Sequence, residues 1–254
     1  MTGTANRPVT SSTVESMTRH RSIRKYTDES VPEEVVEAIL RSAQAAPTSS
    51  HKQAFSVVRV LDPVKRRGLA AVADDQEWVE ECPLFLVWCA DLHRIRVAVA
   101  RLDAPMVHEN VEEFLVATID TTLAAATAFA AAESLGLGGV FIGGMRNDPA
   151  RVTEILGLPP LVYPVFGMCL GYPADDPWLK PRLPLAVVYH RDRYDDSGYP
   201  AALNEYDAIT HTYYVEREGE NRVTTWSHEM ARKFAISQRP HMRAYLESQG
   251  FVFD

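Results

Sequence analysis

The sequence predicts an α+β fold, one domain over residues 1–254 with a helical C-terminal extension from 192 to 254. Three observations carry that prediction. Short apolar runs at 54–61, 83–90, 161–171 and 183–190 have the length and composition of strands. Residues 111–135 are Ala-rich with a strongly helical pattern, as a long central helix under a sheet would be. No internal repeat and no long linker divides the chain, so the elements belong to one layered structure.

The chain has 254 residues, 46% of them hydrophobic and 24% charged, enough for a sizeable core. Lys and Arg number 26 against 34 Asp and Glu, a formal net charge of -8. That balance argues against a nucleic-acid partner, which needs a basic face. Cys82, Cys89 and Cys169 are odd in number and lack disulfide or zinc-knuckle spacing, so a reducing, cytoplasmic setting is expected. Residues 1–12 are polar, lack a signal core and are expected to be disordered. No apolar run is expected to reach the ~18 residues of a membrane span.

Taken in order, residues 11–20 read as a short helix. Pro32-Glu33-Glu34 opens an amphipathic helix that Pro47 stops. Residues 47–53 form a polar loop, 54–61 a strand, 63–73 a helix and 74–76 a polar turn. After the strand at 83–90, residues 92–108 show no clean period and read as loop with room for a helix. Gly136 to Gly144 reads as a short apolar strand bracketed by glycine pairs. It fails the dinucleotide fingerprint, because Phe141 stands where the third glycine belongs and the first glycines precede the strand. Asn147-Asp148-Pro149 caps a helix that Gly157 ends. Strands at 161–171 and 183–190 flank a proline-rich connection carrying Lys180-Pro181-Arg182.

Candidate chemistry is sparse when each motif is taken alone. His108-Glu109 and His228-Glu229 begin like metalloprotease helices, but neither has a second histidine four residues on, so no metal site is expected. Cys169 in its apolar strand reads as a buried structural thiol or a nucleophile. Glu112 and Glu113 read as a solvated helix face. Gly143-Gly144 reads as a tight turn or as close backbone approach to a planar ligand. Lys180-Pro181-Arg182 is a solvated loop or a rigidly held cationic pair. His20-Arg21-Ser22-Ile23-Arg24 is a basic surface turn or one wall of an anion site. If extended, it turns Arg21 and Ile23 one way, Ser22 and Arg24 the other.

Together the motifs carry more. His20-Arg21-Ser22-Ile23-Arg24-Lys25-Tyr26-Thr27-Asp28 is followed by Ala46-Pro47-Thr48-Ser49-Ser50-His51-Lys52-Gln53. Later come Phe141-Ile142-Gly143-Gly144-Met145-Arg146-Asn147, Phe166-Gly167-Met168-Cys169-Leu170-Gly171-Tyr172-Pro173 and Lys180-Pro181-Arg182-Leu183-Pro184. In order and spacing this set resembles the FMN-dependent nitroreductase superfamily, in particular the NADPH nitroreductases and NADPH–FMN oxidoreductases. The resemblance implies a homodimer with a mixed sheet flanked by helices and FMN at the subunit interface. It implies hydride transfer from NADPH through bound FMN to nitroaromatics, quinones or free flavin, in a ping-pong cycle with no catalytic side chain.

By the same resemblance, His20, Arg21, Lys180 and Arg182, with Pro181 between the last two, hold the FMN phosphate, an anion suited to paired charged donors. Ser22, Arg24 and Gln76 meet the polar edge of the isoalloxazine, where a cation stabilises the reduced ring. Thr48, Ser50 and Gln53 line the ribityl chain and ring, and Phe141, Ile142, Gly143 and Gly144 approach the ring. Arg217 and Arg222 meet the NADPH 2′-phosphate, Arg239 the nucleotide and Glu112 the substrate. His51 and Lys52 replace the apolar residues usual in the family and bear on substrate choice, and Thr48 replaces a serine. Rival readings are a specialised flavin-dependent dehydrogenase or azoreductase, and a non-catalytic flavin-binding redox sensor.

Overall fold

The computed structural model of the protein describes residues 10–217 and 221–251. They fall into two compact units, one running to Asp176 and rejoined from His241, the other Pro177–Pro240. The larger unit opens with α1 (Ser12–Thr18), whose first turn is capped by Ser11 accepting the Val14 N–H. The expected disorder of residues 1–12 therefore does not extend to Ser11 and Ser12, and residues 1–9 lie outside the described residues. Helix α2 (Glu33–Gln44) starts directly after Pro32 and buries Val36, Ile39 and Ala43. Strand β1 (Phe55–Arg59) leads to α3 (Pro63–Val72), where Asp62 accepts the Val64 and Lys65 N–H groups. Then follow α4 (Glu77–Glu81), β2 (Leu84–Asp91), α5 (His93–Ala100) and the long α6 (Val111–Ser134). Strand β3 (Gly138–Ile142) precedes α7 (Pro149–Leu156), capped by Asp148 and ended by Gly157 in the left-handed region, and β4 (Val162–Gly171).

The strands lie in the order β1-β2-β4-β3, and each pairing is antiparallel. The parallel component of the sheet is an isolated bridge, Ser22 to Gly139. Period-two alternation explains why β2 reads as a continuous apolar run. Leu84, Leu86 and Trp88 face a core shared with α2 and α6, while Phe85, Val87 and Cys89 face one shared with α3 and α7. A strand covered on both faces needs an apolar residue at every position.

Three expectations are corrected. Gly138 and Gly139 stand inside β3 rather than before it. Helix α6 is long and apolar enough, by length and mean hydropathy, to cross a membrane, contrary to the absence of such a segment expected above. Nine of its residues are nevertheless buried inside this unit, and Asp120 is among them. The run at 183–190 is not a strand. Pro184 starts a single helical turn, α8 (Leu185–Val188), in which only Val187 is buried.

In the smaller unit, α8 is followed by α9 (Tyr199–Glu216) and α10 (Trp226–Phe234). Helix α9 buries Tyr206, Thr210 and Tyr214 at four-residue spacing, one stripe of the helix. The Trp226 N–H donates to Thr210 Oγ1 and the Ser227 N–H to Asp207 Oδ1, so the start of α10 is bound to α9. The last helix, α11 (Met242–Ser248), belongs to the larger unit. There Tyr245 and Leu246 join Leu161, Tyr163 and Phe251 in a third core, and the hydroxyls of Tyr245 and Thr153 lie 2.6 Å apart.

Candidate cofactor and nucleotide site

The segment at 20–27 is pinned from below by Ile23. Its side chain is buried, and its N–H donates to Gly139 O at 2.9 Å. Its carbonyl accepts the Tyr26 hydroxyl at 2.8 Å. A Cβ at position 138 would sit 2.5 Å from Ile23 Cγ1, so only glycine admits this segment to the edge of β3. Pinned this way, the segment shows the expected alternation, with Ile23 buried, Arg21 half-buried, and Ser22 and Arg24 exposed.

The two basic residues before Ile23 are held by carboxylates. His20 Nδ1 lies 2.7 Å from Glu133 Oε1, and its ring meets the Phe129 ring edge-on at 5.3 Å. The Arg21 guanidinium pairs with exposed Asp176, while its buried Nε donor has no partner. On the other side, Arg24 stacks over Trp78 of α4 at 5.5 Å. Gln76 immediately precedes that helix, after Asp74 and Asp75, both left-handed at φ 59° and 54°. The turn is tied to the chain beyond β3 by the Asn147 amide donating to Asp74 Oδ2 and by Gly144, whose Cβ would meet Ala73 Cα at 2.8 Å. The structure thus gathers Ser22, Arg24, Gln76 and the chain after β3 at one edge of the sheet. Within that chain the roles differ. Ile142, the last residue of β3, is buried and offers only backbone, Gly144 is required by its packing on Ala73, and a Cβ at Gly143 would stand in ordinary contact with Arg146 Nη2 at 3.5 Å. Phe141 is 40% exposed and stacks on Phe129 at 4.9 Å.

The polar loop is held in an unusual backbone conformation. Ser50, His51 and Gln53 all have positive φ, 48°, 59° and 51°. The Gln53 N–H donates to Thr48 Oγ1 at 3.3 Å, and Arg94 of α5 donates to the Gln53 and Phe55 carbonyls. Asp120 accepts the backbone N–H of Ser49 and of Ala54. Lys52 Nζ lies 2.7 Å from both carboxylate oxygens of Glu113, which corrects the reading of Glu113 as a solvated face. Its neighbour Glu112 is exposed in the first turn of α6. Asp120 and Arg94 were missed by sequence reasoning because their partners lie far along the chain.

In the smaller unit a cavity of about 320 Å³ is lined by Lys180, Arg182, Tyr206, Tyr214, Arg222 and Lys233 among others. The Pro181 carbonyl accepts the Tyr206 hydroxyl at 3.0 Å, which fixes the Lys-Pro-Arg segment on α9. Around the Tyr214 ring stand Arg222 at 4.7 Å, Arg217 at 5.3 Å and Lys180 at 5.6 Å. Arg222 Nη1 lies 3.6 Å from Glu229, which also accepts from Arg232 and from the Thr224 hydroxyl. The Arg232 hydrogen bond, Thr224 and the Arg222 charge hold the Glu229 carboxyl below its ordinary range, against the opposing effect of burial. Arg239 is not among the residues lining this cavity and occupies a left-handed turn position.

The three cysteines are free and buried. Burial, with the neighbouring Cys82, drives the Cys169 thiol well above its ordinary value, which makes it a core residue rather than a nucleophile. Among the described residues no group of three or more His, Cys, Asp and Glu is placed to hold a metal.

The family model described as the nitroreductase family matches residues 17–172, and that of the nitroreductase family C-terminal domain matches 180–254. The NADPH-flavin oxidoreductase of Vibrio harveyi is 40% identical over 240 residues, 94% of this chain and 98% of that protein. The FMN reductase (NADPH) of Bacillus subtilis is 40% identical over 243 residues, again 94% and 98%. The solved structure of NfrA2 from B. megaterium superposes with a TM-score of 0.93 at 39% identity, covering 96% of this chain and all of that one.

Proposed function

The chain belongs to the nitroreductase family, and from that premise we propose that it is an FMN-dependent oxidoreductase using NADPH to reduce nitroaromatics, quinones or free flavin. The observation that carries this reading is the cationic, aromatic-walled cavity of Lys180, Arg182, Arg222 and Tyr214 in a chain whose relatives are named for NADPH and flavin.

The residues present fit FMN. Arg21 keeps a buried donor without an acceptor, and Lys180 and Arg182 are set by a proline whose carbonyl is tied down. Gly143 presents bare backbone next to exposed Phe141. His20, Arg21, Lys180 and Arg182, with Pro181, are assigned to the phosphate. Ser22, Arg24 and Gln76 are assigned to the polar edge of the ring, and Thr48, Ser50 and Gln53 to the ribityl side. Bound FMN supplies hydride acceptance and donation. The protein's part is to hold the phosphate with charged donors, to present Arg24 where negative charge develops, and to give the nucleotide phosphate a cationic seat at Arg217 and Arg222. Arg239 is assigned to the nucleotide, and Glu112, His51 and Lys52 to the acceptor side.

A second copy of the chain completes the assembly. Along α6, Val111, Leu115, Ile119 and Leu123 recur every four residues and are 40–52% exposed, an apolar stripe suited to a homodimer. Three free cysteines fit a reducing, cytoplasmic setting.

Titration of apoprotein with FMN, followed by quenching of flavin fluorescence, tests the assignment. Arg182→Ala is expected to weaken FMN binding by about tenfold or more, the loss of one charge-assisted contact. Unchanged affinity would overturn the phosphate assignment.

A further inference from the structure

We propose that Asp120 is the positioning residue of the 48–54 loop and thereby sets how that loop receives the flavin. This rests on the reading that Thr48, Ser50 and Gln53 lie against FMN. Asp120 stands in mid-α6, completely buried, beside Ala117, Thr121 and Ala124. Packing alone calls for another small apolar residue at such a position, because an unmatched charge is costly to bury. Its two oxygens have specific partners instead. Oδ1 accepts the Ser49 N–H at 2.9 Å and Oδ2 the Ala54 N–H at 3.1 Å, the two ends of the loop.

Between those ends lie Ser50, His51 and Gln53 in the left-handed region, three residues with side chains in a conformation that ordinarily suits glycine. Such backbone persists where the surroundings over-determine it. The loop's own bonds, Lys52 N–H to Ser49 O and Gln53 N–H to Thr48 Oγ1, close the turn without fixing it to the body of the unit. Asp120 anchors the backbone at both ends from the helix, Glu113 of the same helix holds the Lys52 side chain, and Arg94 holds the exit. The backbone that carries Thr48 and Gln53 is therefore placed from α6, while their side chains bond within the loop, Thr48 Oγ1 to the Gln53 N–H and the Gln53 amide to His51. A loop held in its binding conformation before the ligand arrives spares that ligand the cost of ordering it, and releasing it lowers apparent affinity by the fraction no longer competent.

Asp120→Asn keeps the size of the side chain but replaces one acceptor with a donor, so one of the two N–H groups loses its partner. In the full-length protein it is expected to raise the FMN dissociation constant about tenfold, and to speed amide hydrogen exchange at Ser49 and Ala54. Asp120→Ala is expected to do more, and where it fails to fold the Asn variant decides. Thr48→Ala and Gln53→Ala run in parallel. If they weaken FMN binding while Asp120→Asn lowers only the melting temperature, Asp120 is merely structural and the proposal is overturned with the loop reading intact. If neither loop variant alters FMN affinity, the loop does not meet the flavin and the proposal fails through its premise.

Discussion

Replacing Arg222 with Ala separates nucleotide recognition from folding, because the structure shows what else depends on that side chain. Its guanidinium lies 4.7 Å from the Tyr214 ring centroid and 3.6 Å from Glu229, and is 43% exposed. Removing it does not orphan Glu229, which keeps Arg232 at 3.0 Å and the Thr224 hydroxyl at 3.1 Å. The folding cost is then a partly exposed cation–π contact and a long ion pair, together about 1 kcal/mol. That corresponds to a melting temperature lower by about 2–4 °C. The cost to NADPH is larger. A charge-assisted contact to the 2′-phosphate contributes about 1.5–3 kcal/mol, and solvent screening at a half-open site argues for the lower end. The kcat/KM for NADPH is therefore expected to fall about tenfold. NADH carries no 2′-phosphate, so its kcat/KM stays within about twofold. Initial rates with each nucleotide at saturating quinone, beside a thermal melt, measure all three quantities. An equal fall for both nucleotides would refute the reasoning.

Other consequences follow from the same contacts. Gly138→Ala places a Cβ 2.5 Å from Ile23 Cγ1, so the melt should show a loss of about 1–3 kcal/mol together with weaker FMN retention. A protein with unchanged stability and cofactor content would show that Ile23 does not position the segment. Native protein should leave Cys82, Cys89 and Cys169 unlabelled by a thiol reagent that labels all three after denaturation, because each is buried; fast native labelling would contradict this. Burial raises the Tyr163 and Tyr245 hydroxyls to about 12. Since the folded values exceed the unfolded value near 10, this contribution is complete below about pH 10 and is lost as pH rises toward 12. Melts from neutral to strongly alkaline pH should fall in that window, and Tyr245→Phe should reduce the slope. A flat profile would count against the burial of these hydroxyls.

Local chemistry made much of the fold legible. Asp148-Pro149 and Gly157 bound α7 in the sequence as in the structure, since cap and stop act within one helical turn. Strands β2 and β4 were readable because apolar runs flanked by proline and glycine admit few alternatives. The run at 183–190 was misread because Leu185-Ala186-Val187-Val188 has a strand's composition, and a strand also requires a partner edge that composition does not reveal. Gly138 and Gly139 read as punctuation. Their need comes from Ile23 and from the Cys169 carbonyl, which a Cβ at Gly139 would strike, contacts more than twenty residues away. The candidate site was readable to the extent that it sits in compact motifs, as at His20–Arg24 and Lys180–Arg182. Asp120, Arg94, Glu113 and Glu229 act through pairings that only the folded chain creates.

The most direct test of the central claim is an anaerobic titration of the FMN-reconstituted protein with NADPH, followed in the visible spectrum. The flavin absorbance is expected to bleach with about one equivalent of NADPH per bound FMN and to return when a quinone or nitroaromatic is added. A protein that takes up no FMN, or whose bound flavin keeps its colour under NADPH, would contradict the assignment.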